Sequence, residues 1–197
     1  MAATAIPRTA WLWWIGLLFS PGAAALMEIG RSFDQLVDRA DQVFVGVVTD
    51  VRSAWGEGRQ ANNIYTFVTF SDLDVWKGEV SQAEYTLRIA GGQVGNAIQV
   101  FPGAPRFVVG KTYTVFVRDN QLALFPTVGI SQGVYPVLWD QTMGRFVTAP
   151  LRDVEELLRD LPPGALPDFS TPRWQSLEVL KQRVLRRLRS PTLQETP

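Results

Sequence analysis

The sequence predicts a mainly β domain, a small barrel with a short helix in front of it and helices behind it. Three observations predict this class. Apolar and polar residues alternate, or apolar β-branched residues run together, through most of residues 43 to 118. Short strand-like pieces recur between Gly, Asn and Asp turn signals as far as residue 147. Helical spacing appears only before residue 41 and after residue 150.

In chain order, the first 25 residues read as an export signal. Arg8 supplies a weakly basic start, Trp11 to Phe19 an apolar stretch, and Ala23-Ala24-Ala25 follows Pro21-Gly22 as a small-residue cleavage site. The apolar stretch is shorter than the ~20 residues of a spanning helix, so cleavage and a secreted or periplasmic location are expected. Residues 26–149 are then expected to form the β domain, and 150–197 a helical extension with a Pro/Gly linker.

Ser32-Phe-Asp-Gln35 has the pattern of a capping box. Phe33, Leu36, Val37 and Ala40 follow at helical spacing, which predicts a helix over about residues 33 to 40. Val43 to Val51 is rich in β-branched residues and reads as a strand buried on both faces. The polar stretch from Ser53 to Asn63 reads as a long loop.

From Ile64 the apolar face is Ile64, Thr66, Val68, Phe70; it resumes one residue out of phase at Leu73 and Val75, as a β-bulge requires. Lys77-Gly78 ends that strand. Tyr85, Leu87 and Ile89 then mark one face of the next. Gly91 to Pro105 reads as a Gly- and Pro-rich loop with one edge strand near residues 97 to 101. Thr112 to Arg118 is a second strongly β run, and shorter strands are expected at 122–125, 134–139 and 145–147. Leu151, Val154, Leu157, Leu158 and Leu161 predict a helix closed by Pro162-Pro163-Gly164. Thr171-Pro172 then reads as the cap of a last helix over 173–189, with Trp174, Leu177, Leu180, Val184 and Leu188 as its stripe.

Composition narrows the chemistry. The chain of 197 residues contains no histidine and no cysteine. It therefore has no imidazole base, no thiol nucleophile, no disulfide and no His- or Cys-bound zinc. Nineteen basic residues balance nineteen acidic ones, and Arg8 is the only charge in the first 25, so no global field recruits nucleic acid or an anionic membrane. No cofactor is expected, and binding is favoured over catalysis, the alternatives being a carboxylate-based hydrolase and an envelope structural protein docked by its basic C-terminal helix.

Three segments carry a family resemblance: Ala40-Asp-Gln-Val-Phe-Val-Gly-Val-Val48, Leu73-Asp-Val-Trp-Lys-Gly78 and Val109-Gly-Lys-Thr-Tyr-Thr-Val-Phe116. In this order the chain resembles the OB-fold domain of tissue inhibitors of metalloproteinases and netrin-like modules over about residues 33 to 135. The resemblance implies an OB-fold-like barrel and the habit of binding proteins, an extracellular protease among the candidates. The inhibitor family presents an N-terminal cysteine to the protease's zinc. This chain has none, so no functional residue carries across.

The candidate residues are accordingly few. Trp55 and Arg59 lie in the connection after the first strand, where OB-folds often meet ligands; a tryptophan folded onto the barrel end is the competing reading. Asp72 and Asp74, two apart on a strand, form a potential carboxylate pair or calcium contact, although too few oxygens accompany them for a calcium loop. Lys77 has Ser71 and Ser81 within reach in sequence as Ser-Lys nucleophile partners, but a lysine before a turn glycine is more often simply exposed, and no flanking motif supports catalysis. The Gly91 to Asn96 loop fails as a phosphate cradle because no helix follows it. In the last helix, Arg183, Arg186 and Arg187 are candidates for docking on a membrane surface; the alternative is that the apolar stripe packs on the domain.

Overall fold

The computed structural model describes residues 30–163, 165 and 167–190. The expected export signal and the tail after residue 190 lie outside the described residues. Helix α1 (Phe33–Arg39) starts with the anticipated capping box: Ser32 Oγ accepts from the Gln35 N–H at 3.3 Å, and Gln35 Oε1 accepts from the Ser32 N–H at 3.1 Å. It stops where Ala40 turns to extended backbone.

Strands β1 (Gln42–Trp55) and β2 (Ile64–Lys77) follow, fourteen residues each, paired antiparallel along their length. The expected loop from Ser53 is thus corrected: pairing continues to Trp55 opposite Ile64, because Arg52 and Ser53 occupy ladder positions opposite Phe67 and Thr66. Only residues 56–63 connect the strands, through one 3-10 turn, Gly58–Gln60.

The bulge expected in β2 is present. β2 advances three positions from Asp74 to Ser71 while β1 advances two, from Val45 to Val47, and Asp72 takes a left-handed φ of 51°. Ile64, Thr66, Val68 and Phe70 therefore share a face with Leu73 and Val75. A second slip, at Thr49, rephases β1 in the same way.

Strands β3 (Tyr85–Ala90), β6 (Thr112–Val117), β7 (Val134–Asp140), β8 (Arg145–Thr148) and β9 (Gln175–Ser176) complete one antiparallel sheet in the order β3-β2-β1-β6-β7-β8-β9. Strands β4 (Gly92–Val94) and β5 (Ala97–Gln99) form a separate hairpin, so the Gly-rich loop contains two short strands where one edge strand was expected. Helices α2 (Leu151–Asp160) and α3 (Leu177–Arg189) complete the described chain.

The protein is mainly β, but strand pairing does not close the sheet into a barrel. The outer edge of β3 is met by the segment after β6 and not by another strand. Ala90 N–H donates to the Leu124 carbonyl at 2.8 Å, Arg88 N–H to Asn120 Oδ1 at 3.2 Å, and Asn120 Nδ2 to the Thr86 carbonyl at 2.8 Å. The same segment corrects the strand expected at 122–125: left-handed φ at Asp119 (51°) and Gln121 (75°) turns the chain before an extended run can form.

Two apolar clusters use the two faces of the sheet. Phe44, Val48, Val68, Phe70, Leu87, Ile89, Val115 and Val117 lie on the inner face. Val43, Val45, Phe116, Tyr135 and Val137 lie on the outer face, beneath Leu36 and Val37 of α1 and Leu180 and Val184 of α3. The first half of β1, from Val43 to Val48, is thus buried on both faces, as its apolar run implied, while the strand beyond it is half-buried or exposed. Full burial of one such side chain contributes about 1.5–3 kcal/mol.

The last helix begins four residues later than expected. Trp174 packs with Phe169, ring centroids 5.0 Å apart, in a third cluster with Val147 and Val154. Gln175 and Ser176 pair with Thr148 and Val147, and only then does Ser176 cap α3, its Oγ accepting from the Val179 N–H at 3.2 Å.

Candidate binding cleft

A cleft of about 350 Å³ opens at the end of the sheet carrying the β1–β2 connection. Its floor is inner-face sequence: Val51 of β1, Thr66 and Val68 of β2, and Ile89 of β3. Its walls are the β4–β5 hairpin and the segment from Val100 to Phe107. Phe107 anchors that segment against Phe70 and Tyr113 at centroid distances of 5.5 and 5.0 Å, and Phe101 against Phe125 at 5.4 Å.

Glycine sets how closely the hairpin approaches. Gly92 has a φ of 138°, and a Cβ there would sit 2.4 Å from Ser53 Oγ and 2.6 Å from Thr66 Oγ1. Those hydroxyls lie 3.1 Å apart, and Thr66 Oγ1 donates to the Gly91 carbonyl at 2.7 Å. Gln99 Oε1 accepts the Ile64 N–H at 2.8 Å, which ties the second hairpin strand to β2. The cleft is therefore held by short polar contacts, while its lining is mostly apolar.

The rim is unusually apolar for a solvent-facing edge. Ile98 and Val100 are 64% and 65% exposed. Arg106 stands exposed at the mouth, with no ion pair or hydrogen bond recorded for it among the described residues. Trp55 ends β1 at this end of the sheet, 47% exposed, and strand alternation places it on the face of Val51 and Ser53. Arg59 lies in the exposed 3-10 turn of the same connection. The two proposed contact residues thus reach the end of the sheet that carries the cleft, although neither lines it.

The catalytic constellations are not assembled. The left-handed residue at Asp72 breaks the alternation that would have put it beside Asp74. Asp74 instead accepts Lys181 Nζ on both oxygens, at 3.0 and 2.8 Å, and Trp76 Nε1 at 2.9 Å. Desolvation pushes the Asp74 carboxyl up, but the Lys181 and Trp76 bonds outweigh it and hold the group below the ordinary carboxylate range. Lys77 Nζ donates to the Val37 and Asp38 carbonyls at 2.7 and 3.3 Å, closing the end of α1 and making no contact with Ser71 or Ser81. Among the described residues no group of three or more Asp or Glu is placed to hold a metal ion.

The basic helix packs. Leu180 and Val184 are fully buried. Arg187 makes a bidentate pair with Asp38, Nε to Oδ1 at 2.8 Å and Nη2 to Oδ2 at 2.6 Å. That bond holds the Asp38 carboxyl below its ordinary range. The Arg183 guanidinium lies 4.0 Å from the centroid of the Phe33 ring and donates to Gln175 Oε1 at 3.0 Å. Of the three arginines considered for docking, only Arg186 remains exposed without a recorded contact.

Compared with known protein families, with curated proteins and with solved structures, the chain matches none. No relative therefore supplies a ligand or a residue role. Sequence reasoning passed over Ile98, Val100 and Arg106. The available signal was an apolar pair at the end of a Gly- and Pro-rich loop, where solvated loops are polar.

Proposed function

We propose that this chain is an exported binding module of OB-fold, netrin-like type, which receives an apolar segment of a protein partner in the cleft between the β4–β5 hairpin and the inner face of the sheet. The observation that carries this reading is the exposure of Ile98 and Val100 along an apolar cleft. Trp55 and Arg59 supply an aromatic and a cationic contact at the same end of the sheet. Support for the OB-like reading comes from the bulged β1–β2 pair, the position of β6 beside β1, and the Asn120–Leu124 segment covering the edge of β3. An extracellular protease is the partner class that the family resemblance suggests.

The test is a comparative capture from the protein's own culture fluid, with wild-type chain and with the double substitution Ile98→Asp, Val100→Asp. A partner retained by wild type and lost by the variant supports the reading. A partner retained equally by both overturns it. No slowing of any extracellular zinc protease across a panel would remove the protease subclass while leaving the cleft in place.

A further inference from the structure

A second exposed apolar surface lies on the β7–β8 hairpin. Trp139 and Phe146 oppose each other across the ladder with ring centroids 4.9 Å apart, and each is half exposed, at 50% and 51%. Met143, in the turn between them, is equally exposed. The one carboxylate of the hairpin tip is hidden: Asp140 is 2% exposed, and its Oδ1 accepts the N–H groups of Thr142 and Met143 at 2.9 and 3.2 Å. Arg145 is exposed, and among the described residues its guanidinium makes no ion pair or side-chain hydrogen bond. Eight consecutive residues thus present three large apolar side chains, one cation and no exposed carboxylate.

We propose that this hairpin tip docks the protein on an anionic lipid surface. Half-exposed Trp, Phe and Met side chains suit the boundary between headgroups and acyl chains, where an aromatic body is buried and its edge stays wet. Arg145 supplies the complementary charge for lipid phosphates. Of the two carboxylates in the adjoining groove, one is neutralised by an ion pair and the other keeps its charge. Asp74 and Glu178 line the groove beside the aromatic pair, but Asp74 is bonded to Lys181 and Glu178 accepts from Gln182 Nε2 at 2.8 Å. The hairpin thereby replaces the basic helix as the membrane contact. It shares no lining residue with the cleft, so the two readings fail or stand separately.

The experiment is cosedimentation of the full chain with vesicles of phosphatidylcholine alone, or with about one-third phosphatidylglycerol. The apolar N-terminal segment is common to all variants, so differences between them report on the tip. Phe146→Ser is expected to lower the partition coefficient about tenfold. Arg145→Gln is expected to lower binding only to the anionic vesicles and to remove its salt dependence. Brominated acyl chains should quench tryptophan emission in the parent and measurably less in Trp139→Phe, with an unchanged circular dichroism spectrum showing that the variant is folded. Should Phe146→Ser fail to fold, Met143→Ser at the fully turned tip carries the same test. Equal partition of parent and all tip variants overturns the proposal. So does a dimer in light scattering that Phe146→Ser dissociates, accompanied by no tip-dependent vesicle binding.

Discussion

Replacing Gly92 with alanine tests the physical account of the cleft most directly. The new Cβ would lie 2.4 Å from Ser53 Oγ and 2.6 Å from Thr66 Oγ1, inside any real contact distance, and the φ of 138° is one that side-chain-bearing residues rarely adopt. Neither hydroxyl moves freely, because each bonds the other and Thr66 also bonds the Gly91 carbonyl. A residue held in a glycine-only conformation costs about 1–3 kcal/mol. Breaking the Thr66 to Gly91 bond costs about 0.5–1.5 kcal/mol. The expected loss in urea unfolding is therefore about 2–4 kcal/mol. Adding Ser53→Ala to Gly92→Ala relieves the nearer clash and should recover part of that loss, leaving the torsional part. Amide exchange separates destabilisation of the hairpin from global loss: the Ile64 and Gly91 amides should exchange faster than the inner-face amides of β6. A cost below about 0.5 kcal/mol for Gly92→Ala, with unchanged exchange at Ile64, would refute the claim that glycine sets the hairpin's approach.

Three further outcomes follow from the same structure. The Asp38 carboxyl is held down mainly by its bond to Arg187, so its folded pKa lies below its unfolded one. The stability it contributes is present above pH about 4 and drains away as pH falls through the folded value. Asp38→Asn should therefore flatten the acid limb of a stability profile, with a neutral-pH cost of only about 1 kcal/mol because the pair is partly exposed and screened. Leu180→Ala, at a fully buried position between α3 and the outer face, should cost about 2–5 kcal/mol in chemical denaturation. Ile98→Asp and Val100→Asp should each change thermal stability by less than about 0.5 kcal/mol, since both side chains are largely solvated; a larger loss would show that they support the fold instead of lining a free rim.

Where sequence and structure agree, the signal was local. The Ser32–Gln35 capping box is satisfied within four residues, and the bulge at Asp72 announced itself as a phase break in alternating side chains. The faces of β3 followed from Tyr85, Leu87 and Ile89 alone. Where they differ, a distant partner decided. Thr171-Pro172 has the chemistry of a helix start, but Trp174 found a better position against Phe169, and β8 recruited Gln175 and Ser176 as a strand. The apolar residues from Leu122 to Phe125 look like a strand, yet two left-handed residues before them bend the chain onto β3. At the candidate cleft, Trp55 was legible as an aromatic near the β1–β2 connection, but the sequence did not decide whether it would face solvent or fold onto the domain. The wall formed by Ile98 and Val100 was not legible, because its position depends on how Gly92 lies against Ser53 and Thr66.

The sequence by itself determined the β class, the helices at either end, the two-sided burial of the first half of β1 and the absence of imidazole and thiol chemistry, since each depends on residue type and on periods of two or 3.6 residues. Only the tertiary structure decided that the sheet stays open, that α3 spends Arg187 on Asp38, that Asp74 serves Lys181, and that Ile98, Val100, Trp139 and Phe146 are left in water. Those outcomes turn on which groups meet across many tens of residues of chain, and side-chain alternation carries no record of such meetings.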